Sequence, residues 1–140
     1  MSGTLISISN DEIRQVLETQ VISSAITLSA ADSGKQFSLN AAAGAQITLP
    51  AVATSAGLNF RFTVQALFAT TAWTILAASS VIQGGAIVNS VNVPSANRNT
   101  ITFATAADTI GDFVQLTCDG VNWYVSGIGT TAAAITFTTV

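Results

Sequence analysis

Histidine is absent from this sequence, and charge of either sign is scarce. The 140 residues include four Lys and Arg, seven Asp and Glu, and no His. The chain therefore lacks the commonest general base and metal ligand and cannot form a Ser-His-Asp or Cys-His set. Its cations, Arg14, Lys35, Arg61 and Arg98, are scattered, whereas nucleic-acid binding rests on several phosphate-neutralising cations. We expect no enzyme activity, no metal or other cofactor and no nucleic-acid partner.

Cysteine is represented once, and long apolar runs are missing. Cys118 cannot form an internal disulfide, and its place in an alternating apolar pattern indicates a small buried hydrophobe. No segment approaches the ~18–20 apolar residues of a membrane-spanning helix, and no basic N-terminal region precedes an apolar stretch, as a secretory signal requires. Yet 49% of the residues are apolar. We expect no membrane partner, and burial of apolar surface against other copies or a partner protein.

A β-hairpin is the clearest local signal in the chain. Two alternating runs meet at Asp119-Gly120, a dipeptide suited to a two-residue turn. Such a turn would pair Cys118 with Val121. The core face of this hairpin is then predicted to contain Val114, Leu116, Cys118, Val121, Trp123 and Val125. The opposite face carries Phe113 and Tyr124, which are left exposed unless they pack within the subunit or at a seam between subunits. In so apolar a chain we expect them to pack.

The first twenty residues form a unit of their own. Ser9 and Glu12 have the spacing of a capping box, and apolar residues follow at helical spacing, so the pattern predicts a short helix over about residues 10–19. We assign residues 1–20 to an N-terminal arm and helix, which would serve in docking or as an inter-subunit clasp. The apolar side chains available for that contact are Leu5, Ile8, Ile13, Val16 and Leu17.

Residues 21–140 are predicted to form one all-β body. Short runs with period two recur every eight to twelve residues, roughly, and turn signals separate them, which is typical of a jelly-roll-like β-sandwich. The Gly84-Gly85 and 127–129 glycine segments are interpreted as turns or bulges, since neither has the lysine and helix of a phosphate loop. Predicted strands cover residues 21–28, 35–40, 46–49, 58–64, 73–76, 86–88, 99–103, the two arms of the hairpin, and 134–138.

Two weaker hypotheses concern binding chemistry. Asp108 and Asp112 could contribute oxygen ligands to a calcium site, although turns and strand ends account for both aspartates. Trp73, Trp123 and Tyr124 could form an aromatic platform for a sugar, although the hairpin pattern places Trp123 in the core. We expect structural roles for the aspartates and no small-molecule ligand.

Two longer phrases carry a resemblance to known proteins. Residues 32–50 read as a turn, a Phe/Leu strand, an Ala/Gly turn and Ile-Thr-Leu-Pro, and residues 119–125 read as Asp-Gly-x-x-Trp-x-Val. With the composition, these phrases resemble small trimeric virion proteins of tailed bacteriophages, namely capsid decoration (cement) proteins, head fibres and tail-fibre tips. The resemblance covers about residues 25–129. It implies a jelly-roll or β-sandwich homotrimer and transfers no catalytic residue.

Among these roles, the short chain favours a capsid decoration protein. The resemblance then implies a homotrimer that binds the major capsid protein at threefold positions on the exterior of the phage head, after synthesis in the cytoplasm of the bacterial host. Residues 1–20 would face the capsid or clasp a neighbouring subunit. Two alternatives stay open: a receptor-binding head-fibre or tail-fibre tip domain that recognises a host glycan, and a carbohydrate-binding module of a secreted enzyme.

Overall fold

Two mixed β-sheets, packed face to face around one apolar core, make up residues 17–140, the part of the chain that the computed structural model describes. Two short 3₁₀ turns, Ala30–Asp32 and Val52–Thr54, lie between strands. The strands in chain order are β1 (Thr19–Ile22), β2 (Ile26–Thr27), β3 (Gln36–Leu39), β4 (Gln46–Thr48), β5 (Asn59–Val64), β6 (Trp73–Leu76), β7 (Ile82–Val88), β8 (Val91–Arg98), β9 (Thr100–Phe103), β10 (Phe113–Cys118), β11 (Trp123–Gly129) and β12 (Ile135–Thr138).

The first six strands alternate between the two sheets. The seven-stranded sheet has the order β1-β3-β5-β10-β11-β7-β8, and the five-stranded sheet has the order β12-β9-β6-β4-β2. Within each sheet the neighbours among these first six strands are parallel. A parallel pair needs a crossover connection, and here each crossover runs through a strand of the opposite sheet. Residues 19–76 therefore wind as three stacked coils, each with one strand in either sheet.

The all-β class and the sandwich-like arrangement predicted from the sequence are confirmed. The jelly-roll connectivity is not confirmed, because jelly rolls are built from antiparallel Greek keys and five of the ten strand pairs here are parallel. Alternation with period two is common to both kinds of pair, so the sequence pattern located the strands without revealing their partners.

At the N-terminal side, the structure corrects two predictions. Leu17 and Glu18 have no regular structure and β1 begins at Thr19, so the helix predicted over residues 10–19 does not include residues 17–19. The backbone N–H of Gln36 donates to the Glu18 carbonyl at 2.8 Å. Pairing with β3 therefore holds this segment out of a helix, although its apolar residues have helical spacing. The strand predicted over residues 21–28 is divided between β1 and β2, which belong to different sheets.

Four of the residues offered for docking, Leu5, Ile8, Ile13 and Val16, lie outside the described residues, as do Ser9 and Glu12 of the predicted capping box. Leu17, the fifth, is 52% exposed. A docking role for Leu17 stays a prediction.

The strand prediction is wrong in two places, one at a proline and one at a glycine segment. Strand β8 was not among the predicted strands; it contains Pro94 and lies at the edge of its sheet, where a proline is tolerated. The 127–129 segment belongs to β11 and is not a turn. A Cβ on Gly127 would lie 2.4 Å from the Phe113 carbonyl oxygen, so glycine permits the close approach of two paired strands. Gly84-Gly85, predicted to be a turn or a bulge, lies inside β7 and pairs with Ser95 and Pro94. The register shift between Ile82 and Gly84 places the extra residue of a bulge on β8.

The hairpin is present, but its register differs from the prediction by two residues. Cys118 pairs with Trp123 and Leu116 with Val125, so the loop contains four residues instead of two. A slip of two residues keeps each side chain on its predicted face. All members of the predicted core face are therefore buried except Val121, which lies in the loop and is 67% exposed.

The side chain of Asp119 explains the longer loop. Its Oδ1 accepts the backbone N–H of Val121 at 2.8 Å and that of Asn122 at 2.7 Å. This Asx-type turn satisfies both backbone donors inside the loop, and the Asp119 N–H donates to the Asn122 carbonyl at 3.2 Å to close it.

Aromatic side chains from the seven-stranded sheet form the centre of the core. The Phe37 and Phe62 rings are stacked with centroids 5.4 Å apart, and Phe60 packs on Trp123 at 5.6 Å. All four are almost fully buried, and Cys118 beside them is 6% exposed, as the sequence predicted. Such rings stabilise the fold through the apolar area that they bury and through the geometry of their pairs.

Truncating one of these rings tests the core. We expect Phe62→Ala to lower the free energy of unfolding by about 3–5 kcal/mol, because it removes a buried ring and leaves a cavity. Urea denaturation measures the change. Thr138→Ala, at an exposed position of β12, should stay within about 0.5 kcal/mol. Similar losses in the two variants would contradict this account of the core.

Candidate interaction surfaces

The outer face of the seven-stranded sheet carries a line of side chains that crosses six neighbouring strands. Strand register places these residues side by side from β1 to β7. We call this line the transverse row. Its members, in order across the sheet, are Val21, Ser38, Thr63, Phe113, Ile128 and Ile87.

Apolar exposure on this face is concentrated in the transverse row. Val21, Ile128 and Ile87 are 57%, 51% and 48% exposed, and Phe113 is half-buried. The neighbouring row consists of Thr19, Gln36, Arg61, Gln115 and Ser126. The row after that consists of Asn59, Thr117, Tyr124 and Gln83. Sequence reasoning found only Phe113 in this row, because the others align only once the strand partners are known.

Phe113 is partly packed inside the subunit. The guanidinium carbon of Arg61, from the neighbouring row, lies 3.9 Å from the centroid of its ring, which is cation–π distance. Beneath the same ring, Thr63 Oγ1 is buried and has no hydrogen-bond partner within residues 17–140. The predicted burial of Phe113 is thus half achieved within one subunit, and the rest of the ring faces outward.

Tyr124 belongs to a different part of the face. It is 43% exposed, and its hydroxyl donates to Asp119 Oδ2 at 2.9 Å. Four residues separate it along β11 from Ile128, the partner of Phe113, which corresponds to about 13 Å along a strand. Phe113 and Tyr124, which the sequence placed on one face, therefore share that face but not one patch.

Threonine dominates the outer face of the five-stranded sheet. Its outward positions fall in two rows that cross the strands. Leu76 is the one large apolar member of these rows, and no charged residue occurs in them. The members are Thr136, Thr102, Thr74 and Gln46 in one row, and Thr138, Thr100, Leu76, Thr48 and Thr27 in the other. The two outer faces of the sandwich therefore differ in chemistry: one is crossed by the transverse row with its four apolar members, and the other carries mainly threonines, of which Thr100 is buried.

The aspartates considered for calcium are engaged with the protein itself. Oδ1 of buried Asp112 accepts the backbone N–H and hydroxyl of Thr130 at 2.9 and 2.8 Å, and Oδ2 accepts the Thr109 N–H. Asp108 Oδ2 accepts the Phe68 N–H at 2.6 Å. Within residues 17–140 no three His, Cys, Asp or Glu side chains are grouped to hold a metal ion. Both aspartates fasten loops to the body, as the structural interpretation expected.

The proposed aromatic platform does not form. Trp73 and Trp123 are fully buried, so neither can join Tyr124 at the surface. A cavity of about 110 Å³ lies beside Trp123, and its walls include Pro50, Val52 and Val81. No charged side chain lines it.

Comparison with known proteins gives no relative: no protein-family model, curated protein or solved structure matches this chain. Over residues 17–140, no helix is long and apolar enough to cross a membrane.

The hairpin loop offers a pH test. Hydrogen bonds from the backbone N–H groups of Asn122 and Val121, and from the Tyr124 hydroxyl, lower the pKa of Asp119 below its ordinary value of 3.8. Its stabilising effect is therefore complete above the unfolded-state pKa and is lost as pH falls through the lower folded-state pKa. We expect wild type to exceed Asp119→Asn in free energy of unfolding at pH 7, with the difference shrinking below about pH 4.

Urea titrations of both proteins between neutral and acidic pH measure that difference. Tyr124→Phe removes only the bond to Oδ2 and should give a smaller loss at neutral pH. A difference that does not change with pH would show that the charge of Asp119 does not stabilise the loop.

Proposed function

We propose that this protein is a non-catalytic structural component of a phage virion, a homotrimeric capsid decoration (cement) protein that binds the icosahedral head at threefold positions on its exterior. The transverse row is the observation that supports it best. A line of side chains that crosses six of the seven strands and has four apolar members calls for a protein surface to cover it, and charge is too sparse on that face to suit nucleic acid. The likeness of residues 32–50 and 119–125 to phage β-domains supplies the virion context.

The proposal requires a sandwich with its outer faces free for contact, and a jelly-roll connectivity is not essential to it. The phage domains that this chain resembles form jelly rolls or sandwiches, and the two-sheet body of this protein offers the same kind of surface. Exposed Leu17 and Val21 lie where residues 1–20 join the edge of the seven-stranded sheet. This edge is the natural place for contact with the major capsid protein.

A protein of this kind stabilises the head through binding alone. It binds the assembled lattice and not the separated capsid subunits, so each bound trimer shifts the equilibrium toward the intact shell by mass action. This role needs no proton transfer and no nucleophile. The few charged side chains of the body can therefore have structural roles.

Deleting the gene from the phage tests this role. Heads without the protein should release DNA at a lower temperature than wild-type heads, and the purified protein added back should restore the difference. Release is followed by nuclease-accessible DNA over a heating series. Unchanged heat resistance, together with no density for the protein on the shell, would refute the decoration role.

A receptor-binding tip is the second candidate, and the surroundings of Tyr124 favour it. The exposed ring lies in a row with Asn59, Thr117 and Gln83, so one patch offers an aromatic face beside amide and hydroxyl groups, as glycan sites do. In this case phage lacking the protein would adsorb poorly while their heads kept full heat resistance. Adsorption assays separate the two roles, and glycan-array binding abolished by Tyr124→Ala would support the second.

A further inference from the structure

We infer that three copies of this chain pack with the outer faces of their seven-stranded sheets toward a common threefold axis, and that the transverse row runs along this axis. The inference rests on the homotrimer of the proposed function and names the surface that forms it. In this trimer the transverse row of each copy is therefore covered by the transverse rows of the two other copies.

The composition of the row fits a symmetry axis. A side chain close to a threefold axis meets two copies of itself, so a charge there would face two like charges at short range. The transverse row has no charged member, and Asn92, which pairs with Ile87 on the last strand, is also uncharged. The nearest charge on the face, Arg61, lies one row away and is occupied with the Phe113 ring. The row can thus meet its own copies without electrostatic repulsion.

The dimensions of the face also fit. Six strands at spacings of about 4.8 Å give the row a length of about 24 Å, and central strands of six or seven residues are about 20 Å long. The projected area is about 500 Å², which is of the same order as the roughly 800 Å² of accessible surface that each partner buries in a stable interface. This area is that of the whole face, polar rows included, so the contact between copies must extend beyond the transverse row to reach the size of a stable interface.

The other surfaces of the sandwich are less suited to this contact. The face of the five-stranded sheet presents threonine hydroxyls and one large apolar side chain, Leu76. The free edge at β8 contains Pro94, which cannot donate a ladder hydrogen bond, and such residues blunt an edge against strand addition. In the described part of the chain, the transverse row brings four apolar side chains into one line: Phe113, Ile128 and Ile87 are adjacent, and Val21 lies beyond Ser38 and Thr63.

A charge placed in the row tests the inference. We expect Ile128→Glu to raise the dissociation constant of the trimer at least about a hundredfold, because three carboxylates would be brought together and desolvated. Val121→Glu is the matched control: Val121 is an equally apolar, exposed residue of the same hairpin, but it lies in the loop outside the row. Sedimentation equilibrium measures the association, and circular dichroism checks that both variants are folded.

Cross-linking tests the symmetry independently. Ile128→Cys should be joined by a short bismaleimide, and no more than two of every three chains should be coupled, since a third thiol at the axis finds no partner. Val121→Cys should give little coupling, and the wild type none, because Cys118 is buried. Complete conversion to dimers would indicate a twofold contact, and that result, or no coupling at Ile128→Cys, would overturn the inference.

The outcomes separate this surface from the decoration role. If Ile128→Glu is monomeric and Val121→Glu is trimeric while phage lacking the gene keep full heat resistance, the surface stands and the decoration role fails. If Ile128→Glu remains trimeric with an unchanged dissociation constant, the surface fails whatever the phage show. A monomeric wild-type protein, in which another segment or partner covers the row, would also overturn the inference.

Discussion

The register of the seven-stranded sheet is set by the side chains that it buries, and its outer surface inherits that register. On the inner face Ile22, Leu39 and Val64 lie side by side, and so do Phe37, Phe62 and Val114. A slip of one residue in any strand would turn such a set out of the core. Because side chains alternate strictly along each strand, the same pairing brings the outward residues into line. The transverse row is thus a direct consequence of how the core is packed.

Few charges occur in the body, and most of the acidic ones are used to hold loops. Asp108, Asp112 and Asp119 each accept at least one backbone N–H. Asp32 does the same for Ser29 and also pairs with Lys35 at 3.0 Å. Partial burial raises the pKa of Asp32, but the hydrogen bonds from Ser29 and Lys35 outweigh it and leave the pKa below its ordinary value. Because these acidic side chains lie at loop ends, the sheet faces carry few charges. Identical faces can therefore meet with little electrostatic repulsion.

The sequence revealed which residues face the core more reliably than which residues meet each other. In the hairpin, alternation identified the buried faces of β10 and β11, whereas the turn rule gave the wrong register because it took no account of the Asp119 side chain. Local spacing also predicted a helix that extends to residue 19, which is wrong at residues 17–19, where Glu18 bonds to β3 and β1 begins. The transverse row could not be read from sequence, since Ile87, Phe113 and Val21 come from strands far apart in the chain. The row depends on parallel strand pairs, and the period-two sequence pattern is the same in parallel and antiparallel strands.

The winding of the chain also fixes which part of the inferred trimer can meet a larger partner. With the row along the axis, the strands run across it, so the two ends of the trimer are formed by sheet edges. Strands β1 and β2 are the outermost strands of their sheets at one end, and β8 and β12 at the other. The threonine face, on the far side of a sandwich about 10 Å thick, then points away from the axis toward water. The β1–β2 end carries exposed Leu17 and is the end at which the described part of the chain begins. In the proposed role the capsid surface is therefore met at this end, and the two sheet faces serve the trimer and the solvent.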